Sequence, residues 1–178
     1  TKKAARCFYA LEQNRADQKR YPAVNPIDSY SKYLEYPEIR EHLSEKVKPG
    51  WVEMVEKTKN IIRKGKDAND QINILGDDGV PMSYHELFWK SELVDFVILQ
   101  QDAFDAIDAL CPLERQSYML ELVLGICEQE FTFEDYEQCR NFFKEVINTL
   151  RQMNYSEFKS EKFETYKQQL TNLLSNGN

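Results

Sequence analysis

The chain has 178 residues, about the size of one domain, and can bury an apolar core without metal or disulfide support. Its 30 acidic and 23 basic residues give a net charge of −7, which disfavours a dedicated nucleic-acid-binding protein because phosphate contacts need clustered Lys and Arg. No apolar stretch approaches the roughly 20 residues that span a bilayer, and the start lacks the apolar block of a signal peptide. We therefore expect a cytoplasmic protein without direct membrane insertion.

Residues 1–27 differ in character from the rest of the chain. The short apolar stretch AARCFYAL is followed by the charged EQNRADQKR and by YPAVNP, whose two prolines prevent a continuing helix. A single strand has no partner here, so we interpret residues 1–27 as the end of a preceding sheet domain with an extended junction. Because the chain also starts at Thr1 rather than Met, we expect it to be a C-terminal piece of a longer protein.

Residues 28–178 carry helical patterns almost throughout. Asp28 or Ser29 fits as the cap of a helix over SYSKYLEY. Pro37 fits the first turn of the next helix, PEIREHLSEKV. In WVEMVEKTKNIIRKG, apolar residues at three- and four-residue spacing predict a helix that ends at Gly65.

A polar connecting loop is predicted over residues 66–82, because this stretch holds two glycines and a proline, and a short helix within it stays open. Ser83 and Glu86 then fit a capping box that opens YHELFWKSELVDFVILQQ, whose wide apolar face predicts the most buried helix.

Further helices are predicted in the last third of the chain. One is LERQSYMLELVLGICEQEF, Thr132 with Asp135 opens the next, and SEFKSEKFETYKQQLTNLL forms the last. The predicted fold is mainly α: a helical bundle over residues 28–178, preceded by a short extended segment.

A search for catalytic groups gives mostly negative results. The phosphate loop GxxxxGK[ST] and the GxGxxG pattern are absent. His42 and His85 lie on different predicted helices and are more typical of surface or capping residues. The acid pairs Asp105/Asp108 and Asp77/Asp78 are more typical of solvated surface charge.

The cysteines also give no sign of a metal site. They are far apart, without a CxxC pattern, and we interpret them as small apolar core residues in a reducing compartment. They are Cys7, Cys111, Cys127 and Cys139.

The stretch ILQQDAFDAID places a large aromatic, Phe104, between aspartates where a helix stops. One interpretation makes Phe104 a core side chain at a helix junction. The other keeps its ring face available for a flat ligand.

Several motifs resemble the catalytic A subunit of V-type and archaeal-type ATPases and ATP synthases. RADQKRYPAVNPIDSYSKY is similar to the stretch after the last core strand of that protein, and LQQDAFDAIDALCPLERQ resembles its LQQNAFDxxD segment. ILGDDGV and the helix after it match the bacterial branch. Pro26 stands where many members carry tryptophan, and Asp102 stands where asparagine is usual, which adds negative charge near the proposed base pocket.

The resemblance implies the end of the nucleotide-binding domain followed by the C-terminal helical domain. The phosphate loop, catalytic glutamate and magnesium ligands of that family lie upstream, so no catalytic or metal-binding residue is expected in this chain. Phe104 matches the family's phenylalanine beside the adenine of ATP or ADP, and Gln101 and Ala103 are weaker candidates for the same pocket. For these two residues and Gln100, structural roles at the helix end stay open.

The implied partners are the B subunit and the central-stalk subunits of a rotary motor that is peripheral to the membrane. The intact complex would bind ATP or ADP with Mg and move protons or sodium, while the isolated chain would bind no nucleotide tightly. Pro22 and its neighbours are the expected hinge, and the connection DALCPLERQ is a candidate rotor contact, with a solvated turn as the alternative. Homo-oligomerisation of the isolated chain stays open.

Two other function classes also stay open. A stand-alone helical adaptor without catalysis would fit the abundant aromatics. An enzyme in its own right would use the carboxylates near Phe104.

Overall fold

The computed structural model describes residues 5–176 and consists mainly of α-helices, with one small sheet near the N-terminus. The predicted fold class is thereby confirmed. The parts of the predictions that fall on residues 1–4, 177 and 178 lie outside the described residues. Within residues 5–176, none of the helices combines the length and apolar character that a bilayer-spanning helix needs.

The strand in the N-terminal segment has a partner, so the expectation of a lone strand is wrong. β1 (Cys7–Leu11) pairs antiparallel with β2 (Val24–Ser31), and Ala10 lies opposite Asn25. The register shifts between Phe8 and Ala10, which leaves an irregular stretch in β2.

The predicted helix capped by Asp28 or Ser29 is also wrong, because both side chains serve the sheet instead. The Ser29 hydroxyl accepts a hydrogen bond from the backbone N–H of Ala10 at 3.0 Å. Asp28 Oδ2 accepts from Asn25 Nδ2 at 3.1 Å. Asn25 Oδ1 accepts from the backbone N–H groups of Ile27 and Asp28. Polar groups that could satisfy a helix terminus therefore stabilise the irregular part of β2.

Short helices follow each strand of the sheet in sequence. α1 (Gln13–Asp17) lies between the two strands in sequence, and a 3₁₀ turn (Lys32–Glu35) precedes α2 (Pro37–Lys46). Pro37 occupies the first turn of α2, as predicted, because its fixed φ suits a helix start and an N–H there would have no helical partner.

α3 (Trp51–Leu75) continues well past Gly65, so the predicted helix end and most of the predicted loop are wrong. A Cβ on Gly65 would lie 2.0 Å from the Cβ of Ser91 in α4 (Met82–Val94). Glycine at this position therefore allows close helix packing and does not end the helix. The helix ends before Gly76, whose φ of 80° lies in the left-handed region.

α4 continues into a π-helical turn (Asp95–Leu99), and the last two residues of α4 are fully buried. The prediction that this helix is the most buried is wrong, because the next two helices along the chain each bury a larger share of their residues and the aromatic side chains of α4 are only half-buried. α4 begins at Met82 with Pro81 at its N-cap and without a side-chain cap. The predicted capping box of Ser83 and Glu86 is therefore wrong, because the helix already starts behind the proline and Ser83 lies within its first turn.

Three further helices complete the bundle: α5 (Leu113–Cys127), α6 (Tyr136–Asn154) and α7 (Glu161–Asn176). α6 packs against α4 and α7, and α3 packs along α4. Asp135 caps α6, since its Oδ1 accepts from the backbone N–H of Gln138 at 2.8 Å. Thr132 lies ahead of the helix and does not cap it.

The core lies between α4, α5, α6 and α7. Among its most buried side chains are Leu93, Val123, Phe143, Val146, Leu150 and Phe163. The cysteines follow the prediction only in part: Cys139 is buried, Cys111 and Cys127 are half-buried, and Cys7 is exposed. Burial raises the pKa of the Cys127 and Cys139 thiols to about 12, so both stay protonated at neutral pH.

Candidate functional site

A pocket lies where the π-helical turn ends and the chain enters the loop of residues 100–112. The backbone N–H of Gln100 donates to the carbonyl of Asp95 at 2.8 Å, one residue further back than in an α-helix, and Gln100 itself is extended. The pocket has a volume of about 560 Å³. Its wall includes Lys19, Tyr21, Phe96, Phe104, Arg151 and Tyr155.

Phe104 stands at this pocket with its ring exposed. The relative exposure of the residue is 101%, so the interpretation of Phe104 as a core side chain is wrong. Leu110, in the same loop, is also exposed but lies outside the pocket wall. A large aromatic that is exposed beside a pocket is typical of a surface that contacts a ligand or partner.

Three aspartates hold the backbone of the loop around Phe104. Asp102 Oδ1 accepts a hydrogen bond from the backbone N–H of Phe104 at 2.9 Å. Asp105 Oδ1 accepts from the N–H groups of Ile107 and Asp108 at 2.9 and 2.8 Å. Asp108 Oδ2 accepts from the N–H of Asp102 at 2.7 Å. Such side-chain turns are typical of aspartate in loops, and they show that these carboxylates organise the backbone.

Asp108 is buried against Arg115 of α5, so its interpretation as solvated surface charge is wrong. Arg115 Nη2 lies 3.6 Å from Asp108 Oδ1, and Arg115 Nη1 donates to the carbonyl of Ile107 at 3.1 Å. The guanidinium also donates to the carbonyl of Asn154, and Asn154 Nδ2 donates to the carbonyl of Val97 at 2.8 Å. Burial raises the pKa of Asp108, although its backbone hydrogen bond and Arg115 oppose this shift. The loop is thus tied to α5, α6 and the π-helical turn.

Gln101 and Ala103, the two weaker predicted binding residues, both line the pocket and are exposed. The Gln101 side-chain amide donates to the carbonyls of Asp108 and Ala109 at 2.9 and 3.3 Å. The backbone N–H of Gln101 donates to the carbonyl of Tyr21 at 3.0 Å. Gln101 therefore has a structural role in the loop, and Ala103 places a small side chain at the pocket edge.

Two arginines of the N-terminal segment bind carboxylates on the helix that leads to the pocket, a contact that sequence reasoning missed. Arg15 donates to the two oxygens of Asp95 at 2.9 and 2.7 Å, and both side chains are buried. Arg20 donates to Glu92 at 3.2 and 2.9 Å and also contacts Asp95. Its guanidinium lies 4.8 Å from the centre of the Phe96 ring.

A sequence signal for this contact exists. Glu92 and Asp95 stand three residues apart, on one side of a helix, within an otherwise apolar run. Buried carboxylates need cationic or hydrogen-bonding partners, so the run SELVDFVIL indicates that a basic segment packs on it.

The two histidines lie in different environments. His85 is buried, with Nε2 2.9 Å from the carbonyl oxygen of Asp77 and its ring stacked on Tyr136, so it is not a surface residue. His42 is exposed on α2, as predicted. Among residues 5–176, no three His, Cys, Asp or Glu side chains come together in a group suited to a metal ion.

The fold and pocket define a mainly α-helical domain with an aromatic loop at the end of its central helix. A family model for the C-terminal domain of V and A type ATP synthase matches residues 40–132, which include α3, α4 and the Phe104 loop. The chain belongs to this family of C-terminal domains. The match confirms the resemblance to V-type and archaeal-type ATP synthases that the sequence motifs indicated.

Curated relatives agree with this family. The chain is 37% identical over 156 residues to the V-type ATP synthase alpha chain of Chlamydia abortus, which covers 88% of this chain. It is 36% identical over 167 residues, or 94% of the chain, to that of Chlamydia pneumoniae. It is 38% identical over 157 residues, or 88%, to that of Chlamydia trachomatis. The chain spans only 26–28% of the length of these relatives.

A solved structure shares the fold. The ATP synthase subunit NeqB from Nanoarcheaum equitans superimposes with a TM-score of 0.53, over 71% of this chain and 29% of that chain. The sequence identity is 16%, so this similarity concerns the fold alone.

Proposed function

We propose that the chain is the C-terminal helical domain of the catalytic A subunit of a rotary V/A-type ATPase or ATP synthase. In this proposal it supplies an aromatic ring to the adenine pocket and couples nucleotide-driven closure to the rotor. The main support is Phe104, whose fully exposed ring stands at a pocket of about 560 Å³ while its backbone is held by Asp102.

The chemistry of the pocket suits a purine base. An aromatic face against a base contributes roughly 1 kcal/mol or more, and it orients the base without taking part in hydrolysis. Ala103 and Gln101 would lie along the same edge of the base. Asp102 uses one carboxylate oxygen to hold the loop backbone, which gives this aspartate a role other than contact with phosphates.

The ligand of the intact complex would be ATP or ADP with Mg. The chain lacks the glycine-rich sequence whose backbone amides surround phosphate, so we propose that the phosphates and the metal are held by other parts of the full-length protein. By itself the chain would bind nucleotide weakly and hydrolyse none. The B subunit and the central-stalk subunits are the proposed partners, in a complex peripheral to the membrane.

Coupling would use the bundle as one rigid body. The Arg15–Asp95 ion pair and the hydrogen bond from Gln101 to Tyr21 join the N-terminal segment to the helix end beside the pocket. Pro22, next to Tyr21, is the proposed hinge, so these contacts would have to rearrange when closure around a nucleotide tilts the bundle against the rotor. The proposed division between the nucleotide-binding domain (1–27) and the helical domain (28–178) falls within β2.

The experiment is the Phe104→Ala substitution in the full-length protein within the assembled ATPase. We expect KM for ATP to rise about 5- to 10-fold while kcat changes less than about twofold, because the lost contact binds the base and not the reacting phosphate. Steady-state ATPase assays over a range of ATP concentrations measure both constants.

Leu110→Ala is the matched control for KM alone, since Leu110 is exposed in the same loop but lies outside the pocket wall. Leu110 also belongs to DALCPLERQ, the candidate rotor contact, so a change in its kcat does not bear on the adenine proposal. It should leave KM for ATP unchanged. An unchanged KM in Phe104→Ala, or an equal rise in both variants, would overturn the adenine proposal.

A further inference from the structure

Phe104 presents a problem of orientation. Its side chain is 101% exposed, so neighbouring side chains do not fix the ring in place. A ring on a mobile loop contributes less to binding, because the entropy cost of ordering the loop offsets much of the free energy gained from the ring contact. The direction of the ring must therefore be set through the backbone.

The backbone of Phe104 is held in two steps. Asp102 Oδ1 accepts from the N–H of Phe104 at 2.9 Å, and the N–H of Asp102 donates to Asp108 Oδ2 at 2.7 Å. Asp108 is only 8% exposed and lies against Arg115, which is 1% exposed. An exposed ring is thus connected to a buried arginine in the bundle through two carboxylates.

We infer that Asp102 and Asp108 are positioning residues that hold Phe104 in the orientation that binds the base. The inference rests on the proposed function, since it gives these residues a part in the same adenine site. Asp102 acts through the placement of its acceptor oxygen and not through its charge. Asp108 acts one step further away, by fixing the backbone of Asp102.

Placement and charge can be separated at position 102. Asp102→Asn removes the charge but keeps an oxygen that can accept from the N–H of Phe104. Asp102→Glu keeps the charge but moves the acceptor by one methylene group. Asp102→Ala removes both.

In the assembled ATPase, we expect Asp102→Ala and Asp102→Glu to raise KM for ATP by roughly 3- to 10-fold, with a smaller change in kcat. Asp102→Asn should leave KM for ATP close to the value of the unsubstituted enzyme. If the charge of Asp102 mattered instead, the order of KM values would reverse. Asp102→Glu would then have a KM close to that of the unsubstituted enzyme, and Asp102→Asn would have a KM close to that of Asp102→Ala. That order would overturn the inference.

A double-mutant cycle tests whether Asp102 acts through Phe104. Adding Asp102→Ala or Asp102→Glu to Phe104→Ala should raise KM no further, because the ring that the aspartate positions is already absent. A further rise of the same size as in the single variant would overturn the inference. If Phe104→Ala alone leaves KM unchanged, the proposed function itself fails, so the two failures are distinguishable.

Asp135→Ala is the matched control for loss of a charged backbone acceptor. Asp135 Oδ1 accepts from the N–H of Gln138 at 2.8 Å, but it caps α6 away from the pocket. This variant should leave KM for ATP unchanged. A rise equal to that of Asp102→Ala would show that KM follows general stability, which would also overturn the inference.

Discussion

The helical bundle and the Phe104 loop are held together by different forces. In the bundle, side chains such as Phe143, Val146 and Leu150 are fully buried, and the apolar stripe of α6 faces α4 and α7. In the loop, few apolar groups are buried, and the order comes from hydrogen bonds between aspartates and the backbone. The bundle therefore behaves as a packed body, whereas the loop depends on a small number of directed contacts.

This difference suits the proposed division of work. A core of close-packed side chains resists small deformations and can move as one body. A loop that is held by individual hydrogen bonds can place one aromatic ring accurately at low cost to the fold. Changes in the bundle should therefore reduce stability strongly, and changes in the loop should affect binding with little loss of stability.

The largest effect is expected for Phe143→Ala. Phe143 is 0% exposed, so its removal should lower the free energy of unfolding by about 3–5 kcal/mol through lost burial and a residual cavity. The matched change is Phe104→Ala, at a side chain that is 101% exposed, which should alter stability by less than about 0.5 kcal/mol. Urea unfolding of the 178-residue chain measures the free energy of unfolding of both variants. Equal losses of stability would contradict the proposed difference between the bundle and the loop.

The second largest loss of stability is expected when the ion pair between Arg15 and Asp95 is broken. Asp95→Ala removes the partner of a buried arginine, so we expect the free energy of unfolding to fall by about 3 kcal/mol. The N-terminal segment should also detach locally, because Arg15 and Arg20 both contact Asp95. Trypsin cleavage after these two arginines should therefore become faster.

Glu53→Ala is the control for this change. Glu53 pairs with Arg40 at the surface, and both side chains are well exposed, so its loss should cost less than about 1 kcal/mol. Similar effects of the two substitutions would mean that the Arg15–Asp95 pair contributes no more than a surface ion pair.

The same contrast explains how much could be predicted from the sequence. In α6, the apolar residues Phe142, Phe143, Val146, Ile147 and Leu150 fall at helical spacing. This spacing predicts the helix, because many residues carry the same periodic signal. The Phe104 loop was located by its motif, and the exposed ring agrees with one of the two interpretations of that residue.

Features that depend on a single residue were harder to predict. Ser29 and Ser83 could both cap a helix, but one bonds across the sheet and the other lies within the first turn of α4. The Arg15–Asp95 pair joins residues 80 positions apart, and no local pattern gives such a distance. In each case, tertiary contacts determine which of several roles, all compatible with the residue type, the side chain takes.

Gly65 offers the smallest and most selective test, because sequence reasoning assigned it to a helix end. If it serves the packing of α3 on α4, Gly65→Ala should destabilise the chain by roughly 1–3 kcal/mol, since the new Cβ would lie 2.0 Å from the Cβ of Ser91. Gly125 lies on the exposed side of α5 with no atom within 4 Å of an added Cβ. Gly125→Ala should therefore stabilise the chain by roughly 0.5–1 kcal/mol, through helix propensity alone. Urea unfolding measures the change in the free energy of unfolding for both variants. A loss of stability at position 65 with a gain at position 125 would show that the contact between α3 and α4 determines the effect at Gly65. A gain at both positions would mean that α3 and α4 can separate enough to accept a methyl group.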